Sequence, residues 1–342
     1  MKIWIDLTSM PHAMFFKEFI RKAERKGNEV LLTCRKFNKL EKLLDKLGFD
    51  YICIGNHGKT PEEKLVKSCE RIKKLSKIVK EFDPDICIAK HSVELPRVAL
   101  GLGYPSILVA DHETAEAQMR LSVPLADIVI SPKATPRRIL EKFGAKKIKQ
   151  FYGVCEVAHY LGFKKKNVLK ELGINRNENL ILARSEPRFS SHNIKSSYIF
   201  QILEKIKEKI DVEIIAIPRN NFDLKEFKKL NALIPEKPID ALSAYFYVSL
   251  VIGAGSTMNR EAAIAGASVL SVCPDPLPSV DKFLIKLGLM HHEKNPTRAV
   301  ALACRLIENH NSNKTRAKKI VSKFENPYKL LNSSISEILK KN

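Results

Sequence analysis

The sequence predicts an α/β protein built as two doubly wound, Rossmann-type halves that face one another across an interdomain cleft. Three observations carry this prediction. Short apolar runs of strand length alternate with amphipathic runs of helix length through residues 3–152, and a second such series starts at residue 180. A looser basic passage, with Lys164-Lys165-Lys166 and Asn175-Arg176-Asn177, separates the two series. The 342 residues are also enough for two full cores. The boundaries read as 1–155 for the first half, 156–178 for a linker and 179–326 for the second half. A last helix, 327–342, is a candidate to cross back to the first half.

The elements follow in order. First-half strands are read at Ile3–Leu7, Glu29–Thr33, Tyr51–Ile54, Ile86–Ala89, Ser106–Ala110, Ile128–Ile130 and Ile148–Tyr152. Helical patterns lie between them at 13–26, 37–47, 61–82, 94–101, 114–122 and 135–143. The 61–82 segment is the plainest, since Leu65, Cys69, Ile72, Leu75, Val79 and Phe82 recur at i, i+3/i+4 spacing. Thr60-Pro61-Glu62-Glu63 starts it with an N-cap and a proline in the first turn. The second half reads as strand Leu180–Arg184, helix 195–209, strand Glu213–Ile217, helix near 239–247 and strand Leu250–Ile252. A helix at 258–265, strand Val269–Val272 and helices near 280–287, 296–309, 313–323 and 327–341 complete it. Apolar strands without polar alternation belong in parallel sheets covered on both faces.

Composition narrows the class. Apolar residues make up 44% and charged residues 28%, as in a water-soluble globular protein. No run approaches the ~18 apolar residues of a membrane span. The first residues enter a strand pattern without a secretory signal, so a cytoplasmic protein, at most peripheral at a membrane, is expected. The seven cysteines are scattered and form no Cys-x-x-Cys pair, so neither a disulfide framework nor a zinc site is expected. Lys+Arg outnumber Asp+Glu by 59 to 38, a net charge of +21 that favours anionic partners. The lysines are spread along the whole chain without interleaved aromatics, the pattern of solvated helix faces, and no specific nucleic acid is expected. Contact with an anionic membrane is the second reading, with Met10–Lys17 as its local candidate for apolar density.

In doubly wound sheets ligands sit at the carboxyl ends of strands. In the first half those ends carry Asp6, Thr8, Ser9 and His12, then His91, then Asp111, His112 and Glu113. In the second half they carry Arg184-Ser185-Glu186, Pro218-Arg219, Gly253 to Thr257 and Pro274-Asp275. Any one of these residues can be explained as a cap on the next helix; as a set they suggest a site. His12 follows Pro11 at a helix start, where the helix dipole would depress its pKa and keep it a proton acceptor. Asp111-His112-Glu113 lacks metal-ligand spacing, and no metal is expected.

The stretch Leu250–Val272 is the sharpest signal. Strand Leu250–Ile252 enters the turn Gly253-Ala254-Gly255-Ser256-Thr257, which opens a helix whose N-terminal N–H groups suit a phosphate. Glu261, one turn on from Thr257, is placed to accept hydrogen bonds from a ribose diol. Any strand–turn–helix unit uses glycine and serine in this way, so the motif alone is weak.

The same stretch resembles the donor-nucleotide motif of GT-B glycosyltransferases and of UDP-N-acetylglucosamine 2-epimerases. The whole sequence is similar to the family called domain of unknown function 354. The matching segments are IDLTSMPHAMFFKEFIRKAERKGNEVLLTCR, ADHETAEAQMRLSVPLADIVISP and VIGAGSTMNREAAIAGASVLSV. The intervals Gly255–Glu261–Gly266 resemble those of the lipid-linked N-acetylglucosaminyltransferase of cell-wall synthesis. Two departures stand out: Ser268 replaces a proline, and Thr8-Ser9-Met10-Pro11 replaces a glycine-rich loop before His12. The epimerase likeness rests on Glu116 and Arg120, with Ala115, Ala117 and Met119 where that family has Pro, Glu and Asn. A surface i, i+4 ion pair is the better account of Glu116 and Arg120.

The resemblance implies a GT-B fold and a nucleotide-sugar enzyme with no further cofactor. The substrate would be a UDP-sugar and the acceptor a lipid-phosphate or a glycan. His12 is the first candidate base, with Asp111 or Glu113 second. Gly253, Gly255, Ser256 and Thr257 would hold the diphosphate and Glu261 the ribose, with Ser185 nearby. Arg184 or Arg219 would meet the leaving-group charge. A 2-epimerase and a non-enzymatic binding protein for anionic lipid or nucleic acid are the rival readings.

Overall fold

In the computed structural model the chain is described over residues 1–174, 179–185, 198–237 and 239–340. Asn175–Asn177 of the expected linker, the strand-end residue Glu186 and the expected helix start at 195 lie outside these residues. Two units emerge, Met1–Leu161 with Glu325–Asn342, and Gly162–Phe324.

The first unit is organised on β1 (Lys2–Leu7), β2 (Glu29–Lys36), β3 (Ile52–Asn56), β4 (Ile86–Lys90), β5 (Ser106–Val109), β6 (Ile128–Pro132) and β7 (Ile148–Phe151). They form one seven-stranded parallel sheet in the order β3-β2-β1-β4-β5-β6-β7. The two-residue period of a strand sorts β1 between two cores. Ile3, Ile5 and Leu7 face the helices Met10–Arg25 and Pro327–Leu339, and Trp4 faces Pro61–Phe82. Strand order reverses between β1 and β4, which makes their carboxyl ends a topological switch point.

The second unit carries β8 (Leu180–Arg184), β9 (Glu213–Ala216), β10 (Leu250–Gly253), β11 (Ser268–Ser271) and β12 (His291–His292). These pair in the order β12-β11-β10-β8-β9, also parallel, with the switch point between β8 and β10. The turn Gly253–Thr257 therefore follows a switch-point strand.

Several expectations are corrected. The passage 156–178 is not a bare linker. Cys155–Tyr160 forms a short 3₁₀ helix in the first unit and Val168–Leu172 a short helix in the second. Pieces this short show no periodicity in sequence. The helix Asn221–Lys229, capped by Asn220, and the strand β12 went unread for a similar reason. Met10–Lys17 is not a membrane-facing patch: Phe15, Phe16, Phe19 and even Lys17 are buried. Phe15 and Phe19 pack edge-on against Tyr328, and the Lys17 ammonium donates to the His159 carbonyl at 2.7 Å. Among the described residues no helix is long and apolar enough to cross a membrane.

Candidate functional site

Asp6 lies at the carboxyl end of β1, one residue before Leu7, but is spent on the fold. Its carboxylate takes a bidentate guanidinium from Arg71 at 2.5 and 3.1 Å, the Ser92 hydroxyl at 2.6 Å and the Thr33 hydroxyl at 2.7 Å. Burial alone would raise its pKa, but Arg71 with the two hydroxyls outweighs burial and holds it below the usual carboxylate value.

The residues just beyond the switch-point strands form the first cluster. The His12 ring bonds through Nδ1 to the Thr8 hydroxyl at 3.1 Å and lies 6.3 Å from the His91 ring, at 30° to it. His91 sits in the left-handed region at φ 50°. Its Nε2 meets both the Asp111 amide N–H, at 3.0 Å, and Asp111 Oδ1, at 2.9 Å. A nitrogen cannot accept the first and donate to the second at once, so the proton position on this ring decides which bond is made. Lys90 donates to Asp111 Oδ2 at 2.7 Å, and its ammonium lies 5.3 Å from the centre of the Phe15 ring.

These charges set the proton affinities. Burial and then the neighbouring Lys90 and His91 push the His12 pKa well below the usual histidine value, against the pull of Asp111. His12 is thus neutral near pH 7, held so by burial and by the Lys90 charge. Burial opposes the Lys90 charge, yet Asp111 more than compensates and holds that proton tightly. The Cys155 thiol is pushed up by burial and then by Asp111. Glu113 lies half-buried on the loop after β5. Lys90 escaped the sequence reading because a lysine ending an apolar strand looks like its solvated end.

The second cluster surrounds the Gly253–Thr257 turn. A Cβ on Gly253 would fall 2.9 Å from the Arg184 carbonyl, so β10 and β8 need glycine there to approach. A Cβ on Gly255 would fall 3.0 Å from Arg219 Nη2, which places that guanidinium over the turn. Arg219 is fixed by its Nε–H donating to the Ser185 carbonyl at 2.8 Å and by its amide donating to Asp223 at 3.0 Å. Arg184 Nε is buried and has no hydrogen-bond partner among the described residues.

Not every expected residue has a side chain to offer. The Ser185 hydroxyl donates to buried Asp223, and the Ser256 hydroxyl donates to Asp281 at 2.8 Å. The first-turn amides from Ser256 on have no intrahelical acceptor, by helix geometry. Thr257 is half-buried in that turn, and Glu261 accepts from the Tyr245 hydroxyl at 3.2 Å. Asp223, on a helix the sequence did not reveal, is a supporting residue that was missed. The Asn220-x-x-Asp223 cap was its one available signal. Glu116 and Arg120 form an exposed ion pair at 2.6 Å.

Comparison with known proteins adds the following. The family described as Protein of unknown function (DUF354) matches residues 1–340. An uncharacterised protein of Methanocaldococcus jannaschii is 42% identical over 296 residues, spanning 85% of this chain and 87% of that one. Two solved structures share the fold. The UDP-GlcNAc 2-epimerase of Neisseria meningitidis, bound to UDP-GlcNAc, aligns with a TM-score of 0.71 at 16% identity over 100% of both chains. The glycosyltransferase VinC, in complex with dTDP, aligns with a TM-score of 0.67 at 11% identity, again over 100% of both. The architecture is the two-domain, Rossmann-like arrangement of GT-B glycosyltransferases and these epimerases.

Proposed function

The chain belongs to the DUF354 family, and on that premise we propose that it is a GT-B-type glycosyltransferase. Its donor would be a nucleotide-sugar, taken as a UDP-sugar, and its acceptor a hydroxyl compound held by the first unit. The observation that carries the reading is the Arg219 guanidinium placed over the Gly255 turn at the second sheet's switch point. There the amides of Ser256 and Thr257, with Arg219 and Arg184, would hold the diphosphate. Glu261, oriented by Tyr245, would take the ribose hydroxyls.

The chemistry follows from the first cluster. The acceptor oxygen attacks the anomeric carbon, and the bond from that carbon to the diphosphate oxygen breaks with its electron pair leaving on the diphosphate. The hydroxyl proton passes to His12 Nε2, since Nδ1 is engaged by Thr8. Asp111, clasped by Lys90 and His91, then positions the ring neighbours of His12 rather than serving as a second base. The arginines meet the charge on the leaving diphosphate.

A 2-epimerase is the second reading, favoured by the full-length likeness to the Neisseria enzyme. One experiment serves both. Calorimetry with UDP-GlcNAc should show binding, weakened in Glu261→Ala by the ~1.5–3 kcal/mol of a charge-assisted hydrogen bond. The same mixture in deuterated water without an acceptor should give neither 2-epimer nor exchange at C2. Equal affinity in a folded variant removes Glu261 from the site, and appearance of either product hands the function to the epimerase reading.

A further inference from the structure

The carboxyl ends of β2 and β3 gather basic and aromatic side chains that the role given to His12 does not use. The ladder between these strands slips between the pairs Cys34↔Cys53 and Lys36↔Asn56, a bulge of the kind that re-aims side chains. Arg35 sits at the slip, half-buried. Its Nε–H donates to the Thr8 carbonyl at 3.3 Å, while the Thr8 hydroxyl holds His12, so both side chains are anchored to one residue. The guanidinium lies 5.5 Å from the centre of the Phe37 ring, and Phe37 meets His57 edge-on at 4.8 Å.

The loop after β3 is pressed onto the helix Pro61–Phe82, where a Cβ on Gly58 would fall 2.4 Å from the Lys64 amide nitrogen. That contact brings lysines to His57, whose pKa is lowered by burial and then by Arg35, Lys64 and Lys67. The nearby carboxylates are already engaged. Glu63 answers Lys67 at 3.6 Å, and Asp6 and Glu94 answer Arg71 at 2.5 and 3.5 Å. Asp6 and Glu94 act on Arg35 as well, so four cations, Arg35, Lys64, Lys67 and Arg71, face these three carboxylates and leave an excess of positive charge beside the proposed base.

We propose that Arg35, His57 and Lys64 form an anion subsite of the first unit that takes a phosphate group of the acceptor and offers its neighbouring hydroxyl to His12. The subsite rests on the reading of His12 as the base and names the class of acceptor that reading left open. The planar fork of Arg35, whose Nε–H is used on Thr8, turns its terminal N–H groups to phosphate oxygens. Lys64 adds a mobile point charge.

The test uses the full chain saturated with UDP and titrated with orthophosphate at fixed pH. The ¹³Cε1 signals of His12 and His57, assigned from His12→Gln and His57→Gln, are followed. Both signals should move saturably, with affinity at least about tenfold weaker in Arg35→Gln. Should Arg35→Gln fail to fold, the exposed Lys64→Gln decides, with a loss of at least about threefold expected. The absence of saturable movement, or equal affinity in the deciding variant, overturns the proposal. So does movement that disappears once UDP is bound, because phosphate would then be occupying the second unit. If UDP itself does not bind, the nucleotide reading falls and the phosphate titration is judged by the same criteria.

Discussion

At the scale of single residues, the first cluster owes its chemistry to one lysine. Lys90 is buried, pairs with Asp111 and, after burial, heads the charges that keep His12 unprotonated. Lys90→Met removes that charge and leaves Asp111 to attract a proton, so the His12 pKa should rise. Titration of the His12 ¹³Cε1 signal reads this directly, and an unchanged midpoint in the folded variant would refute the account. The substitution also takes the ammonium away from a buried carboxylate, which costs about 3–5 kcal/mol. The pH dependence has a definite sign in the unaltered protein. Because the folded His12 pKa lies below the unfolded value, the unfolded chain binds more protons as pH falls. The contribution of His12 to stability is complete above its ordinary value near 6.5 and is lost progressively as pH drops below it.

At the scale of elements, the turn after β10 uses two glycines for different reasons. Gly253 faces the backbone carbonyl of Arg184, which cannot move without separating β8 from β10. Gly255 faces the far end of the Arg219 side chain, which can swing aside. Gly253→Ala should therefore lower stability by about 1–3 kcal/mol, as overpacking does. Gly255→Ala should leave the unfolding temperature nearly unchanged and weaken nucleotide binding by displacing Arg219. Thermal unfolding and calorimetry on the two variants would sink this assignment if they returned the opposite order.

At the scale of the whole molecule, the chain's last helix belongs to the sheet that starts it. Tyr328, Leu331, Ile335 and Ile338 lie in the core that holds Phe15, Phe16 and Ile5. The Tyr328 hydroxyl also donates to the Phe15 carbonyl. Removing residues 327–342 would uncover that face of the first unit while leaving the second unit's β8–β12 sheet whole. The truncated chain should lose the titration signature of the His12 cluster yet still bind UDP through the second unit. Loss of both together would show that the two units do not hold their folds separately.

Local pattern alone determined the alternation of strands and helices. It placed all seven strands of the first sheet and matched the helix Pro61–Phe82 at both ends. Periodicity and caps are properties of neighbours in sequence, so they can be read without a fold. It also offered His12, Asp111 and the Gly253–Thr257 turn as candidates, because ligands of doubly wound sheets sit where parallel strands end. Strand order was decided only in three dimensions, since pairing joins residues such as Ile3 and Ile86 that no local window connects. That order turned two strand-end residues to opposite uses. Asp6, a candidate by position, was drawn into the core by Arg71, sixty-five residues away. Lys90, unremarkable by position, was set against Asp111 because β4 and β5 lie side by side. A carboxylate or an ammonium takes its role from the charge beside it, and only tertiary structure brings that charge within reach.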